Sequence, residues 1–209
     1  MKYIGTPIAM WILFKKSFCR NLKAVFGFDN TDVHEIAKKA KIKYKEIIRG
    51  LPEFEKGDRF KINIVGCAML GAFICSMSFR PDVEQLTIYY NHAMMTPAMK
   101  LFCRVCGKNK FTPKDIKNMQ DTAKLRAADR NPYSWNMEFY EYPDGSGYEA
   151  RFTKCGICVL MRKLGLYDLT PAMCRLDYAM SEASGATNFV RKYTIASGGA
   201  YCDCGYKKK

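Results

Sequence analysis

Histidine is almost missing: His34 and His92 are the only two in 209 residues. They lie far apart and belong to no metal or triad pattern, so a histidine-built metal centre and a Ser-His-Asp triad are set aside. No internal repeat is present, and no low-complexity stretch beyond the closing lysines. A convincing secretory signal is also lacking. Tyr3 to Phe14 is apolar, but Gly5 and Pro7 interrupt it, Lys15 and Lys16 follow it, and no small-residue cleavage site appears. The cytoplasm is therefore the expected compartment. The ten cysteines are expected to serve as thiols, metal ligands or nucleophiles rather than as disulfides.

Acidic residues are outnumbered, 20 against 34 basic ones, for a net charge of +14. Such a field attracts anions, yet much of it is local. Lys38, Lys39, Lys41, Lys43, Lys45 and Arg49 share one predicted helix with Val33, Ile36, Ala40, Tyr44, Ile47 and Leu51 at core spacing, so the lysines form a solvated face. A nucleic-acid binder needs aromatics interleaved with basic residues on an exposed surface. Only the charge is present, and no nucleic-acid partner is expected. Ile62 to Phe79 carries no formal charge over eighteen residues, the lower limit for a membrane span. Asn63, Gly66, Gly71, Ser76 and Ser78 interrupt it, and it reads as the buried central helix of a bundle, with no membrane partner.

At 48% hydrophobic and 26% charged, the composition is that of an ordinary globular protein. The first half reads as helices: Thr6 to Phe26 stopping at Gly27; one opening at Asn30-Thr31-Asp32 with Glu35 closing a capping arrangement; an apolar helix over 60–79. A fourth covers Asp82 to Cys106, with a break at Thr96-Pro97, and a fifth opens at Thr112-Pro113. From Tyr133 the period changes to two. Strands are predicted at 133–140 and 148–153, helices at 155–164 and 171–181, and strands at 187–196 and 200–206. The fold class is α+β: a helical region over 1–131, then a ββααββ unit with a mainly antiparallel sheet over 132–209, expected to form one compact unit.

The chemistry concentrates at the C-terminal end. Cys155-x2-Cys158 precedes Cys174-x2-Asp177 at a spacing used by zinc sites, with aspartate in place of the fourth cysteine. Cys174 and Asp177 are three apart on a helix and face one way; Cys202 and Cys204 are two apart on a strand and share a face. Zinc, held by Cys155, Cys174 and Cys202, is a possible cofactor. Alternatively a thiolate of this set is a nucleophile, with Asp177 moving the proton. Cys19, Cys67, Cys75 and Cys204 read instead as small buried hydrophobes, and Cys103-x2-Cys106 as a helix end. Arg191 falls on the apolar side of the alternation Phe189, Arg191, Tyr193, Ile195. An inward guanidinium needs an anion: Asp177 or Asp203, or a substrate carboxylate.

Phe152-Thr-Lys-Cys155-Gly-Ile-Cys, Cys174-Arg-Leu-Asp177-Tyr, Arg191-Lys-Tyr-Thr194 and Gly198-Gly199-Ala-Tyr-Cys202-Asp203 together resemble the L-2-amino-thiazoline-4-carboxylic acid hydrolase family of bacterial proteins. The resemblance implies hydrolytic opening of a cyclic amidine that carries a carboxylate. Its family-like positions are Cys155, Cys174, Asp177, Arg191, Thr194, Gly198, Gly199 and Cys202; on this reading Cys174 and Asp177 are expected to be catalytic by their spacing, and Arg191, Thr194, Gly198 and Gly199 to bind substrate. The closing G-G-x2-C is also similar to vinyl-reductase-type domains of bacterial sensors. That similarity implies the alternative, a non-catalytic small-molecule-binding module with a cysteine-ligated structural metal.

Overall fold

The computed structural model describes residues 1–209. Its first half is helical: α1 (Thr6–Phe26), α2 (Asn30–Arg49), α3 (Lys61–Ile74), α4 (Val83–Met94), α5 (Pro97–Gly107) and α6 (Pro113–Ala127). Then follow β1 (Asn136–Glu141), β2 (Gly147–Lys154), α7 (Gly156–Lys163), α8 (Thr170–Cys174), α9 (Leu176–Ser184), β3 (Thr187–Val190) and β4 (Cys202–Lys208). The four strands form one sheet in the order β1-β2-β4-β3, every neighbour antiparallel. The α+β class, the helical first half and the antiparallel sheet are as the sequence predicts, but three helices rather than two separate the strand pairs.

Local chemistry places the helix ends. Gly27 adopts the left-handed conformation that closes α1, donating its N–H to the Lys23 carbonyl. Thr96 and Thr112 cap α5 and α6, each with proline next in line. The start of α2 differs from expectation. Asp29 is its cap, accepting the Asp32 N–H at 2.8 Å, so Asp32 lies inside the first turn. The apolar helix is also shorter than its uncharged run, since α3 stops at Ile74. No helix is long and apolar enough to cross a membrane. Every residue of α3 from Ile64 to Ile74 is buried, with α1 and α2 packed against it.

The main core cluster joins 33 buried residues from α1 to α4 with Trp135, Leu160, Met161, Leu169 and Met173 of the later elements. A run of rings knits it. Trp11 stacks on Tyr44 at 5.6 Å and on Phe73 at 5.8 Å, and Phe18 meets Phe73 at 5.0 Å. Such pairs each add about 0.5–1.5 kcal/mol beyond the area they bury.

Three strand boundaries move. β1 begins at Asn136 rather than Tyr133, because Ser134 is drawn aside: its hydroxyl donates to Asp58 at 2.7 Å. β3 ends at Val190 rather than Ala196. The Asp203 carboxylate accepts the backbone N–H of Lys192 at 3.0 Å and of Tyr193 at 2.6 Å, taking donors that a longer ladder would need. The last strand begins at Cys202 and runs to Lys208, so the lysine end is mostly paired strand. The expected helix over 171–181 is divided at Arg175, whose backbone stays right-handed helical between α8 and α9.

Candidate active site

Between the helical half and the later elements lies a cavity of about 370 Å³. Its later wall carries Cys155, which precedes α7; Cys174, which ends α8; Asp177, in the first turn of α9; Arg191, just past β3; and Cys202 and Cys204 on β4. These are the residues that spacing and alternation single out. Cys204 joins them although it reads as simple core. A larger depression of about 640 Å³ sits between α2 and the end of α7, lined by Lys39, Lys43 and Lys163. It contains none of these groups and is an open surface groove.

The opposite wall is helical and could not be foreseen. Met10 and Phe14 come from α1, Asn63 and Gly66 from α3, Tyr90 and Met94 from α4. Tyr90 is 3% exposed and lines the cavity, bringing a hydroxyl to this wall. A tyrosine at core spacing on a helix has no local mark that separates it from a packing residue.

Asp177 and Arg191 are the cavity's only charged residues. Arg191 donates through Nη1 to Asp177 Oδ2 at 2.7 Å and through Nη2 to the Cys174 carbonyl. Cys204 Sγ lies 3.8 Å from Nη1, and the guanidinium rides over Phe189 at 5.0 Å. Of the two structural anions expected for Arg191, Asp177 is the one used; Asp203 holds the Lys192 and Tyr193 amides instead. The exposures are unequal: the Arg191 side chain is 5% accessible and that of Asp177 42%. Asp177 therefore presents a carboxylate to the cavity from among surrounding protein atoms. Burial raises its pKa, and Arg191 offsets only part of that, so it is a stronger base than an ordinary aspartate.

The thiols are protonated at neutral pH. Burial pushes Cys174 up to about 12, against a downward pull from Arg191 and an upward push from Asp177. Cys155 is raised first by its hydrogen bond with Cys158 and then by burial. Burial also raises Cys204 and Cys202. Each rise is partly opposed: the Ile195 N–H lies 3.2 Å from the Cys202 sulfur, and Arg191 Nη1 lies 3.8 Å from that of Cys204.

This donor set does not fit zinc. No group of three or more His, Cys, Asp or Glu side chains is arranged to hold a metal ion. Cys155 turns to Cys158 within one helical turn, and the positive charge beside Asp177 and Cys174 is already supplied by Arg191. The spacing that suggests Cys155, Cys174 and Cys202 as ligands brings them to one cavity without making a metal centre.

Thr194, Gly198 and Gly199 stand apart from the cavity wall. Thr194 caps the short 3-10 turn Ile195–Ser197, its hydroxyl accepting the Ser197 N–H at 3.0 Å. Gly198 takes φ +86° to end that turn, and a Cβ on Gly199 would meet the Thr194 carbonyl at 2.9 Å. They shape the loop that carries the Ile195 N–H to Cys202. His34 and His92 are both at the surface.

The elevated Cys174 pKa has a direct consequence. Its alkylation by iodoacetamide is expected to rise about tenfold per pH unit from pH 7 to 10 with no plateau, since only the thiolate reacts. Trypsin releases Leu164 to Arg175 with Cys174 as its only cysteine, so mass analysis of that peptide reads the rate. A plateau by pH 8.5 would show an ordinary or activated thiol.

With this geometry in place, comparison with known proteins adds one finding. The model of the L-2-amino-thiazoline-4-carboxylic acid hydrolase family matches residues 68–206. No curated protein and no solved structure matches the chain. The match covers most of the sequence and all of the cavity's later wall, and the chain belongs to that family.

Proposed function

We propose that the chain hydrolyses a small carboxylate-bearing cyclic amidine of the 2-amino-thiazoline-4-carboxylate kind, with Cys174 as nucleophile and Asp177 as acid and base. The observation that carries this reading is the convergence of Cys174, Asp177 and Arg191 on one cavity whose remaining wall is almost wholly apolar. Three parts of the substrate find partners there. The amidine edge offers N–H donors, which the accessible Asp177 carboxylate accepts. The substrate carboxylate takes guanidinium N–H groups of Arg191 beyond those given to Asp177 and Cys174. The ring carbon between sulfur and nitrogen is the electrophile, set against the Cys174 thiol.

Because the thiol is protonated in the free protein, it must lose its proton as it attacks. Asp177, made more basic by burial, receives it. The Cys174 sulfur–carbon bond forms, one ring bond breaks, and the proton passes from Asp177 to the departing ring atom. Water then adds at the same carbon, the enzyme–carbon bond breaks, and the thiol is restored. The sum is one water consumed per ring opened. A dry, apolar wall strengthens the Asp177 and Arg191 contacts during these steps.

The test is incubation of the purified protein with L-2-amino-thiazoline-4-carboxylate, followed by mass analysis. A product about 18 Da heavier, formed in proportion to protein, is expected. Asp177→Asn keeps an acceptor for Arg191 but cannot take a proton, and is expected to lower kcat about a hundredfold. Saturable binding with no product would favour the sensor-type alternative.

A further inference from the structure

The cavity is larger and greasier than a bare thiazoline carboxylate requires. At about 30 Å³ per molecule it has room for roughly a dozen waters, yet 19 of its 23 lining residues are hydrophobic. Its charged groups are gathered at one pole, where Asp177 and Arg191 meet, and the long helical wall adds only Asn63 and the Tyr90 hydroxyl as polar groups. A compact zwitterion seated there would leave most of the helical wall facing nothing it could pair with. Ligand sites of this composition take ligands that are themselves mostly apolar, with a few polar groups fixing orientation.

Two further features describe what lies beyond the head group. Met10, Met94, Met99, Met173 and Met180 all line the cavity. Methionine is unbranched and polarisable, and it accommodates apolar shapes that rigid side chains reject. Two large apolar residues of the lining are exposed, Ile62 at 51% and Phe102 at 57%, with Asn63 the exposed polar residue beside Ile62. Large apolar residues held out at a rim have a reason to be there when something apolar passes between them.

We propose that the natural ligand joins a hydrogen-donating amidine head, held by Asp177, to an apolar arm that lies along the methionine wall and leaves between Ile62 and Phe102. The head assignment rests on the hydrolase reading above; the arm rests on the cavity alone. The substrate class is thus an amidine-containing heterocycle bearing an apolar substituent. The unsubstituted thiazoline carboxylate is its smallest member.

Open-chain analogues separate the two parts. S-methylisothiouronium and S-benzylisothiouronium share the amidinium head and differ only in the arm. Titration calorimetry with the wild-type chain is expected to show the benzyl compound binding at least about thirtyfold more tightly. Phe102→Ser, at an exposed position, should remove about tenfold of that preference and leave the methyl compound unchanged. Asp177→Asn should weaken both compounds. Equal affinities, or no binding of either, would overturn the arm; a benzyl preference with head binding unaffected by Asp177→Asn would overturn the assignment of the head. A clear benzyl preference in a protein that opens no thiazoline ring would sink the hydrolase reading while leaving the apolar arm standing.

Discussion

Cys174→Ser is expected to reduce turnover by on the order of a thousandfold or more with the fold unchanged. The substitution is nearly isosteric and the site is half-buried at the end of α8, so stability should move by about 1 kcal/mol or less. Chemistry is another matter. A thiol at about 12 is already a reluctant donor, and only a base as near as Asp177 makes its attack feasible. A serine hydroxyl holds its proton more tightly still, and its oxygen is the poorer nucleophile toward the ring carbon. Cys155→Ser and Cys202→Ser provide the comparison. Both line the same cavity, but neither is followed three residues later by a carboxylate on the same helical face, so each should retain kcat within about tenfold. Product mass against time gives the rates, and thermal unfolding shows that the variants are folded. A Cys174→Ser enzyme close to wild-type rate would mean that Asp177 activates water directly and that Cys174 is wall.

The parts of this site that could be read in advance are those whose signal is local. Cys174 and Asp177 announce themselves because three residues on a helix is a same-face spacing. Arg191 does so because a guanidinium in an apolar alternation demands an anion. Helix ends at Gly27, Thr96 and Thr112 are equally local. The misreadings have a common cause, a partner far along the chain. β3 is cut short by Asp203, which reaches back to the Lys192 and Tyr193 amides. The zinc-like spacing says which donors gather but not which cation sits among them, and here it is Arg191. Tyr90, Asn63 and the five cavity methionines look like ordinary core or surface residues until the helices are folded against β4. Cys204 reads as core by type, and burial alone would keep it there; its place beside Arg191 is what makes it part of the site.

Arg126→Met is expected to be the most damaging change outside the cavity, costing about 3–5 kcal/mol and lowering Tm by roughly 10 °C. Arg126 is 5% exposed. Its Nη1 donates to Asp58 Oδ2 at 2.9 Å and to Asp129, and its Nη2 donates to Glu55 at 2.8 Å. Glu55 is at the surface and can return to water, but the Asp58 and Asp129 side chains are only 1% and 3% exposed. Without Arg126 the buried Asp58 carboxylate has no cation left and Asp129 keeps only Lys154, at 3.6 Å, while methionine fills the space without answering either charge. The effect should reach the active site through Asp58. Its Oδ1 accepts the Phe60 N–H at 2.9 Å while its Oδ2 accepts the Ser134 hydroxyl at 2.7 Å, which joins the entry to α3 with the entry to β1. Phe60 then packs on Trp135 at 5.4 Å and on Phe152 at 5.6 Å, and all three rings line the cavity. KM should therefore rise severalfold in whatever fraction remains folded. Adding Asp58→Asn removes one orphaned charge and should recover part of the lost Tm, which simple loss of packing at Arg126 would not allow. An unchanged Tm in Arg126→Met would show that the two aspartates reach solvent by another route, and that the wall of the cavity does not depend on this ion cluster.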